Sequence, residues 1–335
     1  MIERKRLAGL HAAEEKRFVA DHPHSAKLFA EARGCLLGGV PMAWMSRWPG
    51  SFPLFFDQAA GARFTDVDGI EYVDFCLGDT GAMTGHALPQ LAEALQRQAG
   101  RGITTMLPNA DAIWVGTELV RRFGLPMWQM AMTATDANRF VLRFARCLTG
   151  RSKVLVFDRC YHGSLDETLV TLGPDGRAVS RLGHIGPQVD PELTTVVVPF
   201  NDITALAAAL GKVDIACVLA EPALTNIGIV PPEPGFHEAL RSLTRKHGVL
   251  LVIDETHTIL RGPGRRHPGL GAGTRFPGDR QDHRWRHAGG CLWLHRCNRR
   301  PAQRAVRRPR LRHQRRGRYT HRQCARTGRG ARDLG

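Results

Sequence analysis

The sequence has little lysine, and its lysines stop early. Six lysines occur among 335 residues, and none follows Lys246. Residues 265–335 take their basic charge from 21 arginines, which stand against 3 acidic residues. Residues 1–264 carry 26 basic and 28 acidic residues. The overall charge of +16 therefore comes from the last part of the chain, and the rest has the near-neutral balance of an ordinary globular protein.

The sequence also lacks paired cysteines and long apolar runs. Its eight cysteines include no C-x-x-C and no zinc-site spacing, which excludes the common zinc motifs and favours free thiols in a reducing compartment. No apolar run reaches the length of a membrane-spanning helix, and the opening MIERKRLAGLHAAEEKRF is too charged for a signal peptide. We therefore expect a cytoplasmic protein that does not enter the membrane.

Short apolar strands alternate with amphipathic helices from about residue 110 onward. The predicted strands are KVLVFD, TTVVVPF, ACVLAEPA and GVLLVIDE, and helices such as ITALAAAL and GFHEALRSLTRKHG lie between them. This alternation predicts an α/β fold, a mostly parallel sheet with helices on both faces. We expect a large α/β domain over residues 91–264 and an Arg-rich, disordered tail over residues 265–335.

The region before the large domain has a different pattern. Residues 1–34 have the spacing of one amphipathic helix, and FFDQAAGARFTDVDGIEYVDF predicts a β-hairpin that turns at Asp68-Gly69. We expect residues 1–90 to form an N-terminal helix and a hairpin that belong to a smaller domain.

Polar residues follow several of the predicted strands and open one helix. Ligands of doubly wound folds bind at the carboxyl ends of strands and the amino ends of helices. The candidates are the helix start in TATDA, the aromatic Tyr161 after KVLVFD, and the strand-end acids Glu221 and Asp254. Each has a plainer interpretation, which the residues alone leave open: a helix N-cap, surface packing, or an acid that pairs with a helix terminus or an arginine.

In their order along the chain, these motifs resemble the class III pyridoxal-phosphate-dependent aminotransferases, and most closely their glutamate-1-semialdehyde aminomutase branch. The resemblance covers about residues 20–264. It is carried by GGV at Gly38, FTDVDGIEYVDF, the GH of TGHALP, TATDA, LTGRSKVLVFDRCYHG, AEPALTNIGIVPP and LLVIDET. It implies a fold type I transferase, a large domain and a partial small domain, and pyridoxal 5'-phosphate as the cofactor.

The resemblance also implies roles for individual residues. Ala134 and Thr135 stand where the family binds the cofactor phosphate, and Tyr161 stands where it stacks on the ring. Asn226 would form a hydrogen bond with the phenolic oxygen of the cofactor, and Asp254 would pair with its ring nitrogen. Glu221 would support the cofactor site. No residue of the chain is assigned as a metal ligand.

The resemblance implies small-molecule substrates and a homodimer. An amino group would move between an amino acid or amine and an oxo acid or aldehyde. Where the aminomutases carry an arginine for the substrate carboxylate, this chain has Met45. This departure weighs against glutamate-1-semialdehyde itself as the substrate.

The family's Schiff-base lysine is missing, so no catalytic residue is assigned. It belongs in a G-K-x-I-G-G-G segment after Asp254, where this chain has GDRQDHRWRHAGG. Read one base out of register, codons for that stretch are compatible with A-I-G-K-T-I-G-G-G-M-P-A-G. GC-rich DNA read out of frame also yields Arg, Gly and Pro. We infer that residues from about 265 are a frameshifted reading, whether by mutation or sequencing error, and expect weak or no cofactor binding and no transamination.

Two other interpretations remain for the tail and the chain. The Arg-rich tail has the charge to bind nucleic acid, which would make the protein an inactive scaffold with a basic extension. The absence of lysine and the out-of-frame match weigh against this. The chain could also be a regulatory pseudo-enzyme that joins intact homologous subunits.

Overall fold

The structure is a computed structural model. It describes residues 3–79, 81–211 and 214–259, together with the backbone of two short strands at 284–288 and 291–293. The rest of the predicted tail lies outside the described residues. The described chain comprises an N-terminal unit of helices and a small sheet, followed by a larger α/β unit.

The N-terminal region forms two helices, α1 (Arg4–Asp21) and α2 (Pro23–Ala32). The expectation of one helix over residues 1–34 is therefore wrong. Proline has no amide hydrogen and disfavours helical backbone at the residue before it, so the chain breaks between His22 and Pro23. The carboxylate of Asp68 then accepts hydrogen bonds from the backbone N–H groups of His24 (2.6 Å) and Ser25 (3.0 Å), which caps α2.

Three antiparallel strands follow: β1 (Phe56–Ala60), β2 (Arg63–Asp66) and β3 (Glu71–Val73). The expected hairpin at Asp68-Gly69 is present between β2 and β3. A second tight turn at Gly61, which the sequence pattern did not indicate, adds β1 to the sheet.

The large unit is built on a seven-stranded sheet in the order β4-β12-β11-β10-β9-β5-β8. The strands β8, β5, β9, β10 and β11 run parallel, and β12 is antiparallel to both of its neighbours. The bounds are β4 (Trp128–Met130), β5 (Lys153–Phe157), β8 (Thr195–Val198), β9 (Ile215–Ala220), β10 (Leu250–Asp254), β11 (Arg284–Ala288) and β12 (Cys291–Trp293). The predicted α/β fold with a mostly parallel sheet is confirmed.

Helices flank and connect these strands. They are α3 (Pro89–Ala99), α4 (Ala110–Phe123), α5 (Ala134–Thr149), α6 (Pro191–Thr194), α7 (Ile203–Leu210) and α8 (Phe236–Lys246). A two-stranded hairpin, β6 (Val170–Leu172) with β7 (Ala178–Ser180), lies outside the main sheet. The predicted helices α7 and α8 are present, as is α5, which begins in TATDA. The sequence pattern did not indicate β4 or this hairpin, because three-residue strands are too short to show a period.

The core lies between the sheet and its helices. Strand β9 is buried along its whole length, as expected for the apolar run IACVLA in a central parallel strand. Helix α5 turns Val141, Leu142 and Ala145 toward the core, at the three- and four-residue spacing of one helix face. This packing fixes where α5 begins relative to the ends of β5, β9 and β10.

Candidate functional site

Three adjacent parallel strands end at the same edge of the sheet. Strand β9 lies between β5 and β10, and all three run in the same direction. Glu221 directly follows β9, Asp254 is the last residue of β10, and Tyr161 lies four residues beyond β5. The structure therefore brings these three sequence-predicted residues to one edge, where α/β folds bind ligands.

The Asp254 carboxylate is buried and held by hydrogen bonds at both oxygens. Its Oδ2 accepts from Nδ1 of His162 (2.8 Å) and from Nδ2 of Asn138 (3.2 Å). Its Oδ1 accepts from the backbone N–H (3.0 Å) and the hydroxyl (2.6 Å) of Thr256. Donors of this kind stabilise the ionised carboxylate in a buried site.

His162 is the buried partner of this acid. Burial by itself would lower the pKa of His162, but the neighbouring Cys160 and the hydrogen bond to Asp254 raise the pKa well above its ordinary value. Nδ1 donates to Asp254, and Nε2 is buried with no hydrogen-bond partner among the described residues. The pair thus places an imidazole, with its protonated form favoured, beside a carboxylate at the end of β10.

Glu221 organises the loops at the ends of β5 and β9. Its Oε1 accepts from the backbone N–H of Tyr161 (3.1 Å), and its Oε2 accepts from the N–H (3.1 Å) and hydroxyl (2.6 Å) of Thr225. The buried carboxylate therefore connects the residue before Asn226 to the loop that carries Tyr161. Through these hydrogen bonds Glu221 holds the two loops in position.

The start of α5 faces the loop that follows β5. Thr133 caps the helix, and its hydroxyl accepts from the N–H of Asp136 (3.0 Å). Ala134 and Thr135 form the first turn, whose backbone N–H groups have no helical acceptor. The hydroxyl of Thr135 accepts from the N–H of Ser164 (3.3 Å), which ties the helix start to the β5 loop. Free N–H groups of this kind attract anions such as phosphate.

Tyr161 and Asn226 lie on the solvent side of the candidate site. The Tyr161 side chain is 44% exposed, and Asn226 is exposed in the loop after β9. An exposed aromatic ring and an exposed amide are accessible to a ligand bound above the buried acid.

Sequence reasoning missed three residues that contact Asp254. His162 follows Tyr161 in the quoted LTGRSKVLVFDRCYHG motif but was assigned no role, and Thr256 lies in the quoted LLVIDET motif. Asn138 lies inside α5, and a single polar residue on an apolar helix face does not show which partner it has. Contacts made across more than a hundred residues of sequence, such as that from Asn138 to Asp254, need the tertiary structure.

Comparisons with known proteins agree on a family. The model of the class III aminotransferases matches residues 44–265. The glutamate-1-semialdehyde 2,1-aminomutase of Syntrophus aciditrophicus is 39% identical over 243 residues, which are 71% of this chain and 56% of that protein. The enzyme of the same name from Myxococcus xanthus is 38% identical over 249 residues, 72% of this chain and 57% of that protein. The chain thus spans little more than half the length of these curated relatives.

Solved structures give the same result. A glutamate-1-semialdehyde-aminomutase from Pseudomonas aeruginosa PAO1 has a TM-score of 0.82 at 45% identity, over 96% of this chain and 70% of that one. A lysine-to-alanine variant of an enzyme so named, in complex with PMP, has the same scores. An omega-transaminase from Sphaerobacter thermophilus has a TM-score of 0.73 at 28% identity, over 82% of this chain and 65% of that one. With most of its sequence matched by the family model and its fold shared with these enzymes, the chain belongs to the class III aminotransferases.

Proposed function

We propose that the edge formed by β5, β9 and β10 is a pyridoxal-phosphate site of an amino-group transferase. The observation that carries this proposal is the buried Asp254 carboxylate, held at the end of β10 by His162, Asn138 and Thr256. A buried carboxylate that stays ionised is suited to pair with a protonated ring nitrogen.

The residues present fit this cofactor chemically. The N–H groups of Ala134 and Thr135 at the start of α5 suit its phosphate, and the exposed Tyr161 ring suits stacking on a flat heterocycle. Asn226 offers an amide for the phenolic oxygen, and Glu221 positions the two loops involved. When bound, pyridoxal phosphate supplies an electron-withdrawing ring that accepts electrons from the substrate carbon that loses a proton.

The Asp254–His162 pair would hold one proton at a defined place. His162 donates its Nδ1 proton to Oδ2 of Asp254, and its raised pKa favours the protonated ring. The cation in turn favours the ionised form of Asp254. An ionised Asp254 would keep a ring nitrogen beside it protonated, which is the state in which the ring attracts electrons.

We further propose that this chain does not transaminate. No lysine follows Lys246 in the sequence, so no residue downstream of Asp254 can form the Schiff base with the cofactor. The assignment of residues 265–335 to a frameshifted tail remains a proposal, since most of them lie outside the described residues. The division into a region over 1–90 and a large domain over 91–264 also remains a proposal.

The proposed reactants of the intact enzyme are a small amino donor and an oxo acid or aldehyde acceptor. Met45, where the aminomutases carry an arginine, weighs against glutamate-1-semialdehyde itself. Membership in the family and the names of the relatives support the reaction class rather than one substrate pair.

A homodimer is the proposed assembly. Helices α3 and α4 carry large apolar side chains that are more than half exposed among the described residues, namely Leu91, Leu95, Ile113 and Trp114. Contiguous exposed apolar surface is typical of a protein interface. None of the helices in the described ranges is long and apolar enough to cross a bilayer. A cytoplasmic location remains a prediction from the sequence.

Titration with PMP tests the proposed site without a lysine, since a related lysine-to-alanine variant was crystallised with PMP. We expect the chain to bind PMP weakly, as calorimetry measures, and Asp254→Ala to weaken this binding further, by at least tenfold. Thr244→Val, which removes a buried hydroxyl on α8 away from the site, is the control. Equal affinities for the chain and its Asp254→Ala variant would contradict the proposal.

The inactive state is tested by restoring the other reading frame. Resequencing codons 262–266 shows whether the shift exists in the gene. A gene shifted by one base at this point should encode a lysine in GKTIGGG and a protein that transaminates with pyridoxal phosphate. Turnover by the original chain with any amino donor would contradict our proposal that the chain is inactive.

A further inference from the structure

We propose that Asn138 is a positioning residue that orients Asp254 and the loop after β5 from inside helix α5. This inference rests on the proposed function, because it concerns how the acid of that site is held. Asn138 is completely buried and lies on the same face of α5 as the apolar Val141, Leu142 and Ala145. A polar side chain in that position needs an explanation, since burial of an amide is costly unless hydrogen bonds compensate.

The amide nitrogen of Asn138 makes two contacts to acceptors. Nδ2 donates to the backbone carbonyl oxygen of His162 (3.0 Å) and to Oδ2 of Asp254 (3.2 Å). Both partners are oxygens that only accept, so the amide cannot be turned over without placing its own oxygen against them. One hydrogen of Nδ2 is therefore donated to Asp254, and the other to the β5 loop at His162, which also donates to Asp254.

The amide oxygen of Asn138 has no partner among the described residues, although it is buried. An unpaired acceptor inside the protein lowers stability. A residue chosen only to fill this space would be apolar and would avoid that cost. The arrangement thus favours a role for the two donated hydrogen bonds over a purely structural role.

Helix α5 contacts the β5 loop at two points on one face. Thr135, three residues before Asn138, accepts from the N–H of Ser164, and Asn138 donates to the carbonyl of His162. Residues three apart on a helix lie on the same side. The helix whose first turn is the proposed phosphate site thus also sets the position of the loop and of the Asp254 carboxylate.

His162 and Asn138 both donate to Oδ2 of Asp254. With Asn138 removed, Oδ2 loses the hydrogen bond from α5 and keeps the one from His162. The length of the hydrogen bond from His162 would then change, while Thr256 still holds Oδ1. We expect a weaker hold on a ring nitrogen and a measurable change at the His162 Nδ1 proton.

The experiment compares the full chain with Asn138→Leu, Asn138→Ala and the buried control Thr244→Val. The first readout is the NMR resonance of the His162 Nδ1 proton in the protein without cofactor. The second is calorimetric titration with PMP. We expect both Asn138 variants to shift the His162 resonance and to weaken PMP binding about tenfold. The control should do neither, even if it lowers the unfolding midpoint.

The two readouts separate this inference from the proposed function. If the unaltered chain does not bind PMP, the proposed cofactor site is contradicted, and the resonance in the cofactor-free protein still decides the role of Asn138. A His162 resonance at the same position in a folded Asn138 variant would overturn the inference. If Asn138→Leu does not fold, the smaller Asn138→Ala supplies the comparison, because a methyl group cannot donate to Asp254.

Discussion

At the scale of single residues, the site depends on a buried charge pair. Asp254 and His162 are 4% and 1% exposed, and their contact is 2.8 Å long. A buried ion pair contributes little compared with an apolar pair of the same size, but loss of one partner leaves the other charge uncompensated. Removal of either partner therefore tests the pair.

Asp254→Asn should destabilise the protein by about 3 kcal/mol, because the buried His162 then either carries an uncompensated charge or must release its proton. The measurement is urea unfolding near pH 6. Asp166→Asn is the matched control, since Asp166 contacts His184 at 3.3 Å but is half exposed. We expect the control to cost less than about 1 kcal/mol. Equal losses of unfolding free energy in the two variants would show that the buried Asp254 pair contributes no more to stability than the exposed pair.

His162→Gln should make stability less dependent on pH. The folded-state pKa of His162 is raised, so its contribution is present below the ordinary value of about 6.5 and is lost as pH rises through the folded-state pKa. The difference in unfolding free energy between the chain and the variant should therefore shrink at alkaline pH. Denaturant titrations from pH 5 to pH 10 measure it, and a constant difference would contradict the charged state of His162.

At the scale of elements, α5 and the β5 loop are packed too closely for a side chain at Gly163. Gly163 has a φ of +86°, and a Cβ atom there would lie 2.1 Å from the hydroxyl oxygen of Thr135. The loop could not keep its path with any larger residue. The close approach holds the loop residues on either side of Gly163 against the helix start.

Gly163→Ala should lower stability by about 2 kcal/mol or more and weaken PMP binding, because strain at positive φ adds to a steric clash. Gly176→Ala is the matched control. Gly176 also has positive φ (+76°), but a Cβ atom there would meet nothing within 4 Å. Thermal unfolding and PMP titration of both variants separate the clash from the backbone effect. If both variants behaved alike, the contact with Thr135 would have no role.

Element boundaries followed local chemistry where that chemistry was strong. The start of α5 at Thr133-Ala134 was predicted from the Thr and Asp of TATDA, and the cap hydrogen bond is present. The break at His22-Pro23 was missed because the apolar spacing continues across it. The proline signal was present in the sequence and should have outweighed that spacing.

At the scale of the whole molecule, the exposed apolar faces of α3 and α4 should join two copies. Leu95→Glu on α3 should weaken self-association, since it places a charge beside the exposed Leu91 of the same helix face. Gln96→Glu adds the same charge to the neighbouring exposed position and is the control. Sedimentation velocity measures the monomer fraction. A chain that is monomeric before substitution, or one equally affected by both changes, would contradict the proposed homodimer.

The sequence by itself determined the alternation of strands and helices, the strand-end acids Glu221 and Asp254, and the helix start at Thr133. These features depend on residues that are close together in the chain, so their patterns can be read locally. The tertiary structure alone decided that Asn138, His162 and Asp254 meet, although Asp254 lies 116 residues from Asn138 and 92 from His162. Packing of α5 on the parallel sheet sets that meeting, and no spacing along the chain records it.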